Sequence, residues 1–252
     1  MLYICRNHIT FLEMSNYKTK VKDDYFDTID TQKKAYILGF LIADGGIVYE
    51  IKHSGHVSKS IRFSNTTDDS EAIYCIRDEI CPERNIQSYK STSNRRKKEQ
   101  FQLKWVSNYM VETLESKYNI KQRKTLDKEF VLPENAIPEE LFRHFFRGFF
   151  DGDGHIDYNS VQLIFTSEPF MKQILGWFKN FDYRIQHIDG KATDYYVVNI
   201  WLDAKKKEFF RHFLYDDAEI YLSRKKLIFD TEITYSSRNR TIEIVEHRAE
   251  KI

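Results

Sequence analysis

The chain has 252 residues, 41% of them hydrophobic, and carries 39 Lys and Arg against 38 Asp and Glu; this suffices for one large or two small domains, and without an overall basic excess any nucleic-acid role rests on local clusters. Its three cysteines, Cys5, Cys75 and Cys81, show no CxxC spacing and no matching histidine set, which points to neither a disulfide framework nor a zinc site and fits a reducing compartment. The opening "MLYICRNHITFLEMSNYKTK" is broken by Arg6, Asn7, His8 and Glu13, and no apolar run approaches the ~20 residues of a membrane span, so an intracellular protein with no secretion signal and no membrane partner is expected, its host compartment unspecified.

In chain order, "DTQKKAYILGFLIADGG" opens on a capping residue, Asp30 or Thr31, runs through helix-compatible residues and stops at Gly45-Gly46, predicting a helix that ends in Asp-Gly. "SIRFSNTT" and "FQLKWVS" follow as strands. The same grammar returns in "LPENAIPEELFRHFFRGFFDGDG", with Pro133 and Pro138 ahead of the helix and Gly154 behind it. Strands "VQLIFTS" and "YYVVNIWLD" come next. "IRFSNTTDDSEAIYCIRDEI" lies over "VQLIFTSEPFMKQILGWFKNF", and "FQLKWVSNYMVETLESKY" over "VVNIWLDAKKKEFFRHFLY", each a strand followed by a helix. The copies close on the basic segments "IKQRKT" and "YLSRKK". This is an internal repeat, and it divides the chain into an N-terminal arm (1–29), a first repeat (30–132), a second repeat (133–229) and a charged C-terminal tail (230–252).

Small residues recur four apart on both predicted helices, Gly39 and Ala43 on the first, Gly148 and Gly152 on the second. Residues four apart share a helix face, and glycine in a helix interior costs about 1 kcal/mol relative to alanine. The use that offsets this cost is close backbone approach between the two helices. Paired with their C-terminal ends together, the helices bring Asp44 and Asp153 to one place, where like charge and the negative helix ends both oppose ionisation. Such an oxygen site calls for a hard cation such as magnesium, which serves phosphodiester hydrolysis. A single Asp-Gly is usually only a turn; two with matched glycines reverse that expectation. A calcium loop over "DGDGHID" fails, because placing Gly154 at the obligatory glycine puts Phe149 at the first ligand position and Ser160 at the last.

At these residues the chain resembles the LAGLIDADG family of homing endonucleases, with "ILGFLIADG" and "FRGFFDGDG" standing at the two family motifs. The resemblance runs from about Asp30 to Phe229. It implies an α+β fold of two pseudo-twofold-related αββαββα repeats, with a central helix pair and two four-stranded antiparallel sheets forming a DNA-binding saddle. It implies Asp44 and Asp153 as metal ligands, joined by the carbonyls of Ala43 and Gly152. Lys124 and Lys225 match the family's basic residue near each scissile phosphate, with Lys226 competing with Lys225. The earlier motif acid is Asp151 in the second copy and Ile42 in the first, a departure that leaves the ligand positions intact. Magnesium is the implied cofactor, with manganese substituting and calcium supporting binding without cleavage. A monomer that cuts both strands of a long, asymmetric duplex across the minor groove, leaving short 3′ overhangs, is the implied activity.

Reading of the DNA would fall to outward strand residues. Ile61 and Phe63 facing inward leave Arg62 and Ser64 outward; Phe101, Leu103 and Trp105 leave Gln102 and Lys104. Gln162 and Asn199 correspond in the second repeat. Arg95, Arg96, Lys97 and Lys98 fall in a hairpin loop suited to phosphate contact. Two other roles compete: an RNA maturase that binds intron RNA, and a DNA-binding regulator that no longer cuts. Both acids are present, which favours the nuclease. An intein-embedded domain is disfavoured by Met1 without a splicing cysteine or serine and by the absence of a terminal His-Asn.

Overall fold

Helix α1 (Gln32–Ala43) begins at Thr31, whose hydroxyl accepts from the Lys34 N–H at 3.3 Å. Every residue from Ala35 to Ala43 is buried, as expected of a helix that is apolar on all sides. Its partner α4 (Phe142–Asp153) lies against it in parallel. A Cβ on Gly39 would sit 2.0 Å from the Phe145 carbonyl oxygen, and one on Gly148 would sit 1.9 Å from that of Tyr36. Gly152 meets the Ala43 methyl group. The small faces therefore bring the backbones together.

The computed structural model describes residues 20–90, 99–191, 193–235 and 242–245. After α1 come β1 (Gly45–Ile51), β2 (Val57–Thr66), α2 (Ser70–Ile80), β3 (Gln87–Lys90), β4 (Glu99–Val106) and α3 (Asn108–Tyr118). After α4 come β5 (Gly154–Ile156), β6 (Ser160–Phe165), α5 (Glu168–Leu175), β7 (Arg184–Ile188), β8 (Tyr195–Trp201) and α6 (Ala204–Tyr215). The two antiparallel four-stranded sheets have orders β1-β2-β4-β3 and β5-β6-β8-β7, the same topology twice. The fold is α+β, an αββαββα unit repeated. Helix α7 (Ser223–Asp230) and a hairpin, β9 (Glu232–Tyr235) with β10 (Ile242–Val245), follow. The sequence pattern did not anticipate this hairpin.

One continuous core fills the space between sheets and helices. In the first repeat Tyr36, Phe40, Phe63 and Trp105 form a stacked series with centroids 5.9–6.0 Å apart, within the range for favourable ring pairs. In the second, Phe146, Phe178, Phe210 and Phe229 pack with both stacked and tilted neighbours. The repeats also exchange trailing segments. Gln173 of α5 holds the N–H and the carbonyl of Leu132 at 3.1 and 2.9 Å. In the opposite direction, the Arg224 guanidinium grips Asp69 at 2.6 and 3.0 Å, and Ser223 Oγ donates to Glu71 at 2.8 Å. Within the arm, Tyr25, Phe26 and Ile29 are buried and Tyr118 Oη donates to the Phe26 carbonyl at 2.9 Å, so its described part packs against α3.

Candidate active site

Because α1 and α4 run parallel, their last residues share one end of the interface. Asp44 caps α1, its N–H donating to the Phe40 carbonyl at 2.9 Å, and Asp153 is the last residue of α4. Both stay partly exposed at the mouth of the interface. Burial pushes the Asp153 carboxyl up to about 7, with repulsion from Asp44 adding to it and Lys124 and Lys225 drawing it back. Asp44 is raised as well, first by burial, and the Asn65 amide, Lys225 and Lys124 oppose the rise.

Each repeat places one lysine under the C-terminus of its own central helix. Lys124, in a short 3-10 turn after α3, donates to the carbonyls of Ala43 (3.2 Å) and Gly45 (2.6 Å). Lys225, on α7 and 1% exposed, donates to those of Phe150 (2.5 Å), Asp151 (2.8 Å) and Gly154 (2.6 Å). The orphan carbonyls at a helix C-terminus and the negative end of the helix dipole make this a natural seat for an ammonium group. Burial lowers both lysines, Lys225 to about 8, while the neighbouring aspartates resist the fall. Lys226, by contrast, pairs with Asp230 over the Tyr221 ring. Helix phase thus separates two adjacent lysines that the sequence left in competition.

A difference in unfolding follows. Lys225→Met removes three hydrogen bonds to backbone carbonyls, of which only that of Phe150 keeps another donor, the Gly154 N–H, at the end of α4, and is expected to cost about 2 kcal/mol or more, whereas Lys226→Met removes a partly exposed pair with an expected effect within about 1 kcal/mol. Urea unfolding of the two variants measures this, and equal losses would contradict the assigned seats.

Sequence reading passed over Asn65. It is 8% exposed, and its inward register after Ile61 and Phe63 sets it on the core face of β2 beside Asp44. Its Nδ2 is buried without a hydrogen bond of normal geometry. Strand register matches Gly45–Phe63 with Gly154–Leu163, so the second repeat has Phe165 where the first has Asn65. A polar residue in an apolar alternation was the available signal.

The donor set suits a divalent ion. Two carboxylates raised first by burial, with Asp44 adding to the rise of Asp153 and Asp69 to that of Asp44, gain from a cation, and magnesium sites commonly use one or two carboxylates completed by water and phosphate oxygens. Asp44 and Asp153 would supply the charge, with the Ala43 and Gly152 carbonyls nearby. The Ala43 oxygen already accepts from Lys124, leaving it one lone pair for a further contact.

On the open sheet faces, strand register puts Arg62 opposite Lys104 and Ser64 opposite Gln102, all four on the side away from the helices. Gln102 Nε2 donates to Ser64 Oγ at 3.2 Å, and Lys104 pairs with Glu50. In the second sheet Gln162 Nε2 donates to Asn199 Oδ1 at 2.8 Å, with His155 opposite Gln162 and Arg184 opposite Asn199. His155 and Arg184 were not anticipated, because β5 and β7 are too short to show an alternation. Arg95, Arg96, Lys97 and Lys98 lie outside the described residues, as does Lys18 of the arm.

Residues 140–214 match the family model of the LAGLIDADG-like domain. The chain thus carries a LAGLIDADG-like domain, and the same topology is repeated ahead of it. Similar solved structures include I-DmoI in complex with DNA and Ca (16% identity, 73% of this chain and 88% of that one, TM-score 0.48). I-SmaMI bound to an uncleaved DNA target in the presence of calcium ions is also similar (10%, 75% and 86%, TM-score 0.49). So is the LAGLIDADG meganuclease I-AabMI bound to uncleaved DNA (14%, 77% and 87%, TM-score 0.49). No curated protein matches the chain by sequence.

Proposed function

We propose that the protein is a site-specific, divalent-metal-dependent DNA endonuclease acting as a monomer on a long, asymmetric duplex. The observation that carries this reading is the convergence of two acids at the shared end of α1 and α4, each helix end seated on its own repeat's lysine. Asp44 and Asp153 would hold magnesium, with manganese able to replace it. Bound there, such ions polarise the scissile phosphates and lower the pKa of the attacking water. Lys124 and Lys225 offset the negative charge that builds on each phosphate, a role that depends on position and electrostatics. Two acid–lysine centres, one from each repeat, suit one cut in each strand across the minor groove with short 3′ overhangs. The outward rows through Arg62, Ser64, Gln102 and Lys104, and through Gln162 and Asn199, offer donors and acceptors to base edges. Their lack of identity between repeats suits a non-palindromic target.

The test is cleavage of duplex DNA spanning the uninterrupted or neighbouring locus of the protein's own gene. Magnesium or manganese should support double-strand cutting, calcium binding alone, and a chelator neither cutting nor the stabilisation that ions give. Specific binding without a cut in any metal would sink the nuclease reading in favour of a DNA-binding regulator. Preferential binding of the intron RNA would favour a maturase.

A further inference from the structure

Between the central helices lies a buried polar network that the proposed chemistry does not use. Asp151, 1% exposed, accepts from Tyr36 Oη of the opposite repeat at 2.9 Å. The same oxygen, Oδ2, accepts from the N–H of Leu222 at 2.9 Å. Leu222 is the N-cap of α7, and Lys225 follows within the first turn. Lys225 in turn donates to the carbonyl of Asp151 itself. The first turn of α7 is therefore tied to Asp151 at both ends, by side chain and by backbone. The Arg147 guanidinium lies 5.4 Å above the Tyr36 ring and donates to the Ile220 and Leu214 carbonyls at 2.8 and 2.9 Å, fixing the segment that leads into Leu222.

The first repeat has no such arrangement. The places matching Tyr36 and Asp151 are Phe145 and Ile42, which offer no polar atom. Lys124 stands in a 3-10 turn preceded by Arg123 at φ 59° and rests on two carbonyls of its own repeat.

We propose that Tyr36 and Asp151 are positioning residues for Lys225, so that one of the two cleavage centres is set by a contact from the opposite repeat and the other is not. This rests on the endonuclease reading for its consequence, while the seating of Lys225 can be measured without DNA. A buried carboxylate is costly unless its hydrogen bonds organise something. Here they fix the start of α7, and because the Lys225 ammonium spends its three N–H groups on carbonyls and acts on the acids and a reacting phosphate through its field, a small displacement of it costs on the order of 100-fold in rate.

Two variants, Tyr36→Phe and Asp151→Asn, test it. In DNA-free protein, amine acetylation read residue by residue by mass spectrometry is expected to rise several-fold at Lys225 in both variants and to stay unchanged at Lys124. With duplex labelled on either strand, one strand's cleavage is expected to slow by on the order of 100-fold while the other holds near the wild-type rate. Unchanged labelling of Lys225, or equal slowing of both strands, overturns the proposal. If wild type cuts neither strand, the endonuclease reading fails and the labelling alone decides the seating. Tyr36→Phe removes one hydroxyl from the core and keeps the test valid should Asp151→Asn fail to fold.

Discussion

Gly148→Ala is expected to lower the melting temperature by about 6–12 °C, taking an overpacking cost near 3 kcal/mol and ~2–4 °C per kcal/mol for a chain of this size. The added methyl would lie 1.9 Å from the Tyr36 carbonyl oxygen and 2.9 Å from the Phe40 nitrogen. Both are backbone atoms of a buried helix, and no side-chain rotation can move them aside. The helices must separate, and with them the two acids at their ends, so DNA cleavage falls even below the melting range. Gly46→Ala is the control, because nothing lies within 4 Å of a Cβ there. Calorimetric scans of the two variants give the comparison. If Gly148→Ala melts as wild type does, the close helix approach is wrong.

Asp153→Asn should abolish cleavage, by a factor on the order of 10²–10³ or more, and at the same time stabilise the metal-free protein. Burial, with Asp44 adding to it, pushes the Asp153 carboxyl up to about 7 in the folded chain from the ordinary 3.8 of an aspartate. Between those values the folded state holds a proton that the unfolded state has released, so stability falls as pH rises from about 4 to about 7. Removing the charge removes that loss. The variant should exceed wild type in melting temperature at pH 8 and converge with it near pH 4. A divalent ion relieves the same repulsion by binding the folded state, so magnesium or calcium should raise the melting temperature of wild type more than that of Asp153→Asn. Loss of cleavage without this pH-dependent difference would mean that Asp153 is neither desolvated nor held beside Asp44 in the way the structure shows. Asp44→Asn should behave in the same direction.

Much of this was legible because it was written locally. Thr31, the glycine spacing and the terminal Asp-Gly all sit within single helices, where period and capping are read directly. Strands β2, β4, β6 and β8 lie centrally in their sheets, with one face on the core, so their alternation survives in the sequence. The edge strands do not show it: all four residues of β3 are exposed, and β1 opens on two glycines. Asn65, and the pairing of the motif acid Asp151 with Tyr36, escaped for a different reason. Each is a polar side chain in an apolar setting, and Asp151 meets Tyr36 across 115 residues of chain, a relation no local pattern encodes. Lys225 and Lys226 could be separated only once α7 had a defined rotation.

The crossed stitching of the repeats bears on how such proteins can be recombined. Leu132 at the end of the first repeat is held by Gln173 of the second, and Ser223 and Arg224 near the end of the second are held by Glu71 and Asp69 of the first. A chimera joined at Pro133 therefore inherits two interlocking seams from different parents. In such an exchange the acids of α2 and its approach come from one parent and the incoming α7 from the other, so these few surface contacts have to be matched for the seam to re-form.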